Sequence, residues 1–138
     1  MSNSAEQCLF CNKAKQKIID SNKLIFVVRD SYPVTKYHSL IIPHRHVSDF
    51  FDLSDDEISD LNKILKKQRQ SLLNIDKEIT GFNVGVNAGP DAGQSIMHCH
   101  IHLIPRRKGD TKNPRGGVRG VIPSKQKYNK WIQPNFQK

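Results

Sequence analysis

Three of the chain's six histidines, His98, His100 and His102, stand at alternate positions in the apolar run MHCHIHLIP, and the other three, His38, His44 and His46, also sit together. A histidine row of this kind suits two chemistries. A pair of alternate histidines with a third ligand from elsewhere can hold a catalytic metal. A neutral imidazole can also attack phosphorus directly and carry the phosphoryl group until water releases it. On a strand the three imidazoles would share one face, while Met97, Cys99, Ile101 and Leu103 enter the core from the other. Neighbours in the row would stand about 6.6 Å apart and the outer two about 13 Å, so all three cannot ligate one ion on an unbroken strand. The preceding loop, NAGPDAGQS, favours phosphate. Gly89 and Gly93 permit close backbone approach, and Ser95 adds a hydroxyl donor for anionic oxygens.

Cys8 and Cys11 form C-x-x-C, half of a tetrahedral Cys2His2 site, and the residues alone do not choose which histidines complete it. Three cysteines make an odd count, which fits metal or redox chemistry in a reducing compartment better than a disulfide framework. Cys99 reads as inert core packing, and His44 is assigned no role.

These groups need elements to position them. KLIFVV (23–28) and HSLIIP (38–43) read as strands joined by a turn containing Asp, Ser and Pro, and predict an antiparallel pair. Ser54 and Glu57 have capping-box spacing, and Ile58, Leu61, Leu65 and Leu72 recur near helical period, predicting one amphipathic helix over 54–76. GFNVGVNAG (81–89) and MHCHIHLIP (97–105) alternate as strands, the second ended by Pro105. VRGVIP (118–123) reads as a short strand, and the N-terminus allows a short helix. The pattern is α+β with an antiparallel sheet.

The 138 residues suit one domain. No apolar run reaches membrane-spanning length, and MSNSAEQC has no signal-peptide layout, so the expected setting is soluble and cytoplasmic, without a membrane partner. The net charge of +9 lies entirely in residues 106–138, where ten basic residues face Asp110 alone; residues 1–105 are balanced. The expected division is a domain over 1–108 and a basic arm over 109–138 packed on it. Such an arm, with Arg106 and Arg107 at its start, suits a phosphorylated ligand, nucleic acid or an anionic surface. Nucleic acid is the less favoured partner because no aromatic stacking motif accompanies the charge.

HCHIHLI (98–104) resembles the signature of the histidine triad (HIT) family. GPDAGQSIMHCHIHLIPRRKGD is most similar to the fragile histidine triad branch, whose members cleave dinucleoside polyphosphates. CLFC, RDSYPVTKYHSLIIPHRH and NAG follow the family order, so the resemblance covers residues 8 to about 108. It implies a HIT-like fold of about five antiparallel strands with one long and one short helix. It further implies that His100 attacks the α-phosphorus to form a nucleotidyl-histidine, with His102, Ser95 and His98 completing the catalytic group. Asn87, His38 and Gln94 would surround the phosphate, Asp30 would meet the ribose, and Leu9, Phe10 and Val28 would wall a purine base. Cys8, Cys11, His46 and His98 would hold a structural zinc. A homodimer whose sheets continue across the interface is implied too, with Tyr128 and Trp131 near the partner's site. No catalytic cofactor is required by this scheme. A nucleoside phosphoramidase, a nucleotidylyltransferase or phosphorylase, and a nucleic-acid-binding module are the alternatives.

Overall fold

A computed structural model describes residues 5–128. Trp131 lies outside them. The chain divides into two compact units, Met1–Arg107 and Lys108–Lys138.

The first unit is built on a five-stranded antiparallel sheet: β1 (Ile18–Ser21), β2 (Ile25–Arg29), β3 (Ser39–Pro43), β4 (Ile79–Val86) and β5 (Ile101–Arg107), in the order β1-β2-β3-β5-β4. The central strands β2 and β3 carry Ile25, Phe26, Val27, Val28 and Leu40, Ile41, Ile42, all buried, because both sheet faces are covered. On one face Ile25, Val27, Ile41, Cys99 and Ile101 pack with Leu61 and Ile64 of helix α1 (Asp55–Ile75). On the other, Phe26, Val28, Leu40 and Ile42 pack against Cys8 and Phe10 from the N-terminal segment.

Helix α1 starts where the sequence predicts. Ser54 Oγ accepts from Glu57 N–H, and the Glu57 carboxylate accepts from Ser54 N–H, which satisfies two otherwise orphaned donors. Its buried stripe runs through Leu61, Ile64, Gln68 and Leu72, whereas Ile58 is substantially exposed. The expected short N-terminal helix is represented by two single 3-10 turns, Ala5–Gln7 and Lys13–Lys15.

Three expectations are corrected. Strand β1 was not predicted: its residues IIDS are mostly exposed on the sheet edge, so they lack the alternation that marks a half-buried strand. The strand bearing the histidine row begins at Ile101, not 97, and runs through Pro105 to Arg107. Proline lacks a donor but keeps its acceptor, and the Pro105 carbonyl takes the Thr35 hydroxyl at 2.6 Å. Upstream of β5, residues 98–100 lie outside the ladder, and Cys99 N–H donates to Val47 C=O at 2.7 Å. The inside-outside alternation survives this: Cys99, Ile101 and Leu103 are buried on the helix side, and the histidines lie on the opposite face.

In the second unit, VRGVIP forms no strand. Residues Gly117–Val121 and Pro123–Lys125 are 3-10 turns, with Gly116 left-handed at φ 92°. The Gln126 side-chain amide donates to Arg115 C=O at 3.2 Å. Glycines and Pro123 make turns cheaper here than a ladder with no strand to pair. Among the described residues no helix is long and apolar enough to cross a membrane.

Candidate active site and Cys-His cluster

The N-terminal segment covers the histidine face, so this row is not a solvent-facing one. His98 is fully buried, His100 nearly so, and His102 half-buried. Phe10 sets its ring edge-on against both His98 (centroids 5.8 Å) and His100 (5.1 Å). The His100 and His102 ring centroids are 5.4 Å apart.

Each ring has a partner that decides where its proton sits. His100 Nδ1 lies 2.8 Å from the His98 carbonyl, which can only accept. Nδ1 therefore carries the proton, and the neutral ring keeps its lone pair on Nε2. His38 is ordered the opposite way: its Nδ1 accepts from Val34 N–H at 3.0 Å, so Nε2 is protonated. That Nε2–H faces His102 Nδ1 at 2.9 Å, with Asp30 Oδ2 at 3.4 Å. His102 Nδ1 is thus an acceptor, and its own proton goes to Nε2. The result is a nucleophilic nitrogen on His100 beside a donor nitrogen on His102.

Burial disfavours the charged form of His102 and His38. It pushes His102 down to about 4, helped by the neighbouring charges that protonated His100 and His38 would bear. His38 is lowered by burial too, against the opposing pull of Asp30. Asp30 is held by its own turn, Oδ1 accepting from Tyr32 N–H at 2.9 Å. Asp30, His38 and His102 also lie close enough together to suggest a metal site. The Val34 donor argues otherwise, because it commits His38 Nε2 to a proton instead of a lone pair. Immediately before His38, Tyr37 is left-handed (φ 74°), a conformation costly for a residue with a Cβ. The Ser39 hydroxyl bonds its carbonyl at 2.8 Å, and the Arg29 guanidinium lies 5.6 Å from its ring centroid.

The glycine loop is built around Gln94. Its Oε1 accepts from Gly89 N–H at 2.9 Å, and its Nε2 donates to the Ser48 and Ile96 carbonyls at 2.9 and 3.1 Å. This buried amide is occupied in shaping the loop. Gly89 and Gly93 are both left-handed (φ 97° and 98°), and a Cβ on Gly93 would touch the Asn87 amide. Ser95 stands exposed directly after Gln94, and Asn87 is half-buried beside the loop. Of the residues expected at the base, Phe10 and Val28 are buried in one cluster, while half of Leu9 is exposed.

A second constellation lies next to the triad. Cys8 Sγ is 3.3 Å and Cys11 Sγ 3.5 Å from His98 Nδ1; His46 Nδ1 is 3.3 Å from both Cys11 Sγ and His98 Nδ1. The four ligand atoms all lie within 4.8 Å of one another. A tetrahedral zinc with ordinary Zn–S and Zn–N bonds has ligand–ligand edges of roughly 3.3 to 3.8 Å. The cluster therefore has the size and donor set of such a site. His98 is also in the right tautomer, since its Nε2 donates to the Pro43 carbonyl at 2.8 Å and leaves Nδ1 as the lone-pair atom. Burial and the adjacent Cys8 raise the Cys11 thiol to about 11, so cation binding would have to displace its proton.

His44, given no role by the sequence, stacks on Phe26 (5.3 Å, 26°). It accepts from Lys13 Nζ at 2.7 Å and donates to Asn22 C=O at 3.1 Å. Cys99 is buried, and burial raises its thiol to about 12, which fits inert packing. Arg107 pairs with Asp76 at 2.8 Å.

Residues 12–109 match the HIT domain family. The chain belongs to that family. Among HIT relatives, it is 36% identical over 94 residues to the AP-4-A phosphorylase of Mycobacterium tuberculosis, covering 67% of this chain and 48% of that protein. It is 37% identical over 78 residues to the asymmetrical bis(5'-nucleosyl)-tetraphosphatase of Schizosaccharomyces pombe, covering 56% and 42%. The chain thus spans about half the length of these curated relatives or less. Its fold superposes on a Zn-bound histidine triad protein from Mycobacterium smegmatis with a TM-score of 0.72 at 24% identity, covering 80% of this chain and 82% of that one.

Proposed function

We propose that this HIT protein is a nucleotide hydrolase that cleaves at the α-phosphate of a dinucleoside polyphosphate through a nucleotidyl-His100 intermediate. The observation that carries the reading is the bond from His100 Nδ1–H to the His98 carbonyl, which leaves Nε2 as the nucleophile. Nε2 attacks the α-phosphorus, and the bond from phosphorus to the leaving-group oxygen breaks. The leaving polyphosphate departs with that bonding pair. Water then attacks the same phosphorus and releases a proton to solvent, while the P–N bond breaks with its electron pair returning to His100 Nε2. The His102 Nε2–H donates to a phosphate oxygen as charge builds on it, its direction set by His38 and Asp30. The Gly89–Ser95 loop and Asn87 bind the other oxygens. Gln94 acts through the loop it shapes. Asp30 has a second carboxylate face for the ribose, and Phe10, Val28 and Leu9 take a purine base.

The relatives' names support a nucleoside polyphosphate as substrate, and they divide between water and phosphate as acceptor of the nucleotidyl group. A phosphorylase would use every residue above and open the adduct with inorganic phosphate. Measuring whether inorganic phosphate accelerates turnover, and whether a nucleoside diphosphate replaces the monophosphate as product, separates the two. Hydrolysis predicts a monophosphate whatever the phosphate concentration. A phosphoramidase would prefer an amine leaving group.

Cys8, Cys11, His46 and His98 would hold a structural zinc, which would cross-link the N-terminal segment to the catalytic segment and fix Phe10 against His100. The resemblance carries a homodimer as well. The outer edge of β4, eight residues long at the border of the sheet, is suited to continue the sheet into a second copy. A cytoplasmic location accords with free thiols at 8, 11 and 99.

A further inference from the structure

Among the described residues Tyr37 is the one non-glycine with a left-handed backbone (φ 74°), and it immediately precedes His38. A side chain disfavours that conformation, so other groups must hold it. The turn before it is closed by His38 N–H to Thr35 C=O at 3.0 Å, and strand β3 begins directly after His38. Tyr37 therefore sets the angle between turn and strand. One imidazole has to serve both sides of that angle. His38 Nδ1 accepts from Val34 N–H in the turn, while Nε2 donates to His102, which the β3–β5 pairing brings alongside.

The groups that hold the angle lie on the helix side of the sheet. The Tyr37 ring packs against the cluster of Leu72, Ile79 and Leu103, with Arg29 Cζ at 5.6 Å and Lys36 Nζ at 5.1 Å from its centroid. Its carbonyl accepts from the Ser39 hydroxyl at 2.8 Å, and that hydroxyl accepts from Arg29 NH1 at 2.6 Å. A charged donor polarises the hydroxyl and strengthens the bond it makes in turn. Arg29 stands opposite Ser39 in the β2–β3 ladder, and its NH1 also donates to Gln68 Oε1 of α1 at 3.2 Å. Gln68 is itself fixed, its Nε2 donating to Asp20 of β1 at 3.0 Å. Three elements thus anchor the guanidinium that reaches the Tyr37 carbonyl through Ser39.

We propose that Arg29, acting through Ser39, and Tyr37 are positioning residues: they clamp the left-handed backbone before His38 and so keep His38 Nε2–H on His102 Nδ1. The proposal rests on the nucleotidyl-transfer reading above and deepens it by naming what fixes the proton of the donor histidine.

The test compares wild type, Arg29→Met and the double variant Arg29→Met/Tyr37→Gly. Two quantities are read: kcat for diadenosine tetraphosphate, and the His102 tautomer from proton–nitrogen correlation of its ring nitrogens by NMR. Arg29→Met should lower kcat about tenfold, the effect of losing one charge-assisted hydrogen bond, and mix the two His102 tautomers. Adding Tyr37→Gly should restore a single Nε2–H tautomer and bring kcat within about threefold of wild type, because glycine takes this φ without strain. Yet the double variant should melt below Arg29→Met, having lost the ring from its apolar cluster. A residue that merely supported the fold would make activity and stability fall together. Wild-type tautomer and kcat in Arg29→Met, or no recovery in the double variant, would overturn the clamp. Ser39→Ala, alone and with Tyr37→Gly, cuts the same link and decides the question in the same way if Arg29→Met does not fold. If wild type turns over no nucleotide, the nucleotidyl-transfer reading fails by itself, and the tautomer comparison still decides the clamp.

Discussion

Replacing Glu57 by Gln tests how the fold holds the turn that carries His46. Arg45, between His44 and His46, is tied to α1 by the Glu57 carboxylate: NH2 to Oε1 at 2.7 Å and Nε to Oε2 at 3.2 Å. The same carboxylate accepts from Ser54 N–H at 2.9 Å. Glutamine keeps the shape and one acceptor but turns an N–H2 toward the guanidinium. Hydrogen bonds to charged groups contribute about 1.5 to 3 kcal/mol. Glu57 is buried, but the Arg45 side chain is 54% exposed and can turn to water, which discounts the loss to about 1 to 2 kcal/mol. In a domain of this size that is roughly 3 to 10 °C in melting temperature. The pH dependence has a definite sign. The Arg45 guanidinium holds the Glu57 carboxyl below its usual range, so its stabilisation is present above the unfolded pKa of about 4.3 and is lost as pH falls through the lower folded value. Calorimetry from pH 7 to pH 3 should show the widest gap between wild type and Glu57→Gln near neutrality, closing toward pH 3. A gap that does not change with pH would refute the charge-based argument.

Other consequences follow from the same geometry. His38→Phe keeps an aromatic ring but removes the donor to His102 Nδ1 at 2.9 Å, and kcat should fall roughly tenfold to a hundredfold while the fold persists by circular dichroism. An unchanged kcat would remove His38 from the proton arrangement. Cys11→Ser should drop bound zinc, read by plasma mass spectrometry, well below one per chain; chelating wild type should lower its melting temperature, and no zinc in freshly purified wild type would discard the site. If the basic arm draws in polyphosphates, KM for a tetraphosphate should rise steeply between low and physiological salt with kcat little changed. A salt-independent KM would exclude that role.

Helix α1 was legible to its N-terminal cap because Ser54, Glu57 and the apolar spacing are local signals that tertiary contacts did not need to override. Ile58 misled, since spacing alone does not say which side of a stripe meets the sheet. Strand β1 was hidden for a different reason: an exposed edge strand draws its stability from backbone pairing with β2, and IIDS carries no burial pattern. The spacing of the histidine row on one face was legible, but its interior position was not, because the N-terminal segment that covers it is ninety residues away in sequence. Likewise His38 joins His102 only through the β3–β5 pairing. The C-x-x-C spacing announced a metal-sized pair. Its histidine partners came from the resemblance, and in space the cluster draws its four side chains from three separate loops. Gln94 was expected at the phosphate, whereas its amide is used three times within the loop, a role that only the closed loop reveals.

The central claim is covalent chemistry at His100. Intact-protein mass spectrometry after rapid mixing with diadenosine tetraphosphate should show a mass increase of one adenylyl group in wild type and none in His100→Ala. An adduct that persists in His100→Ala, or product formed by wild type with no adduct at any mixing time and with net inversion of configuration at an isotopically chiral α-phosphorus, would contradict it.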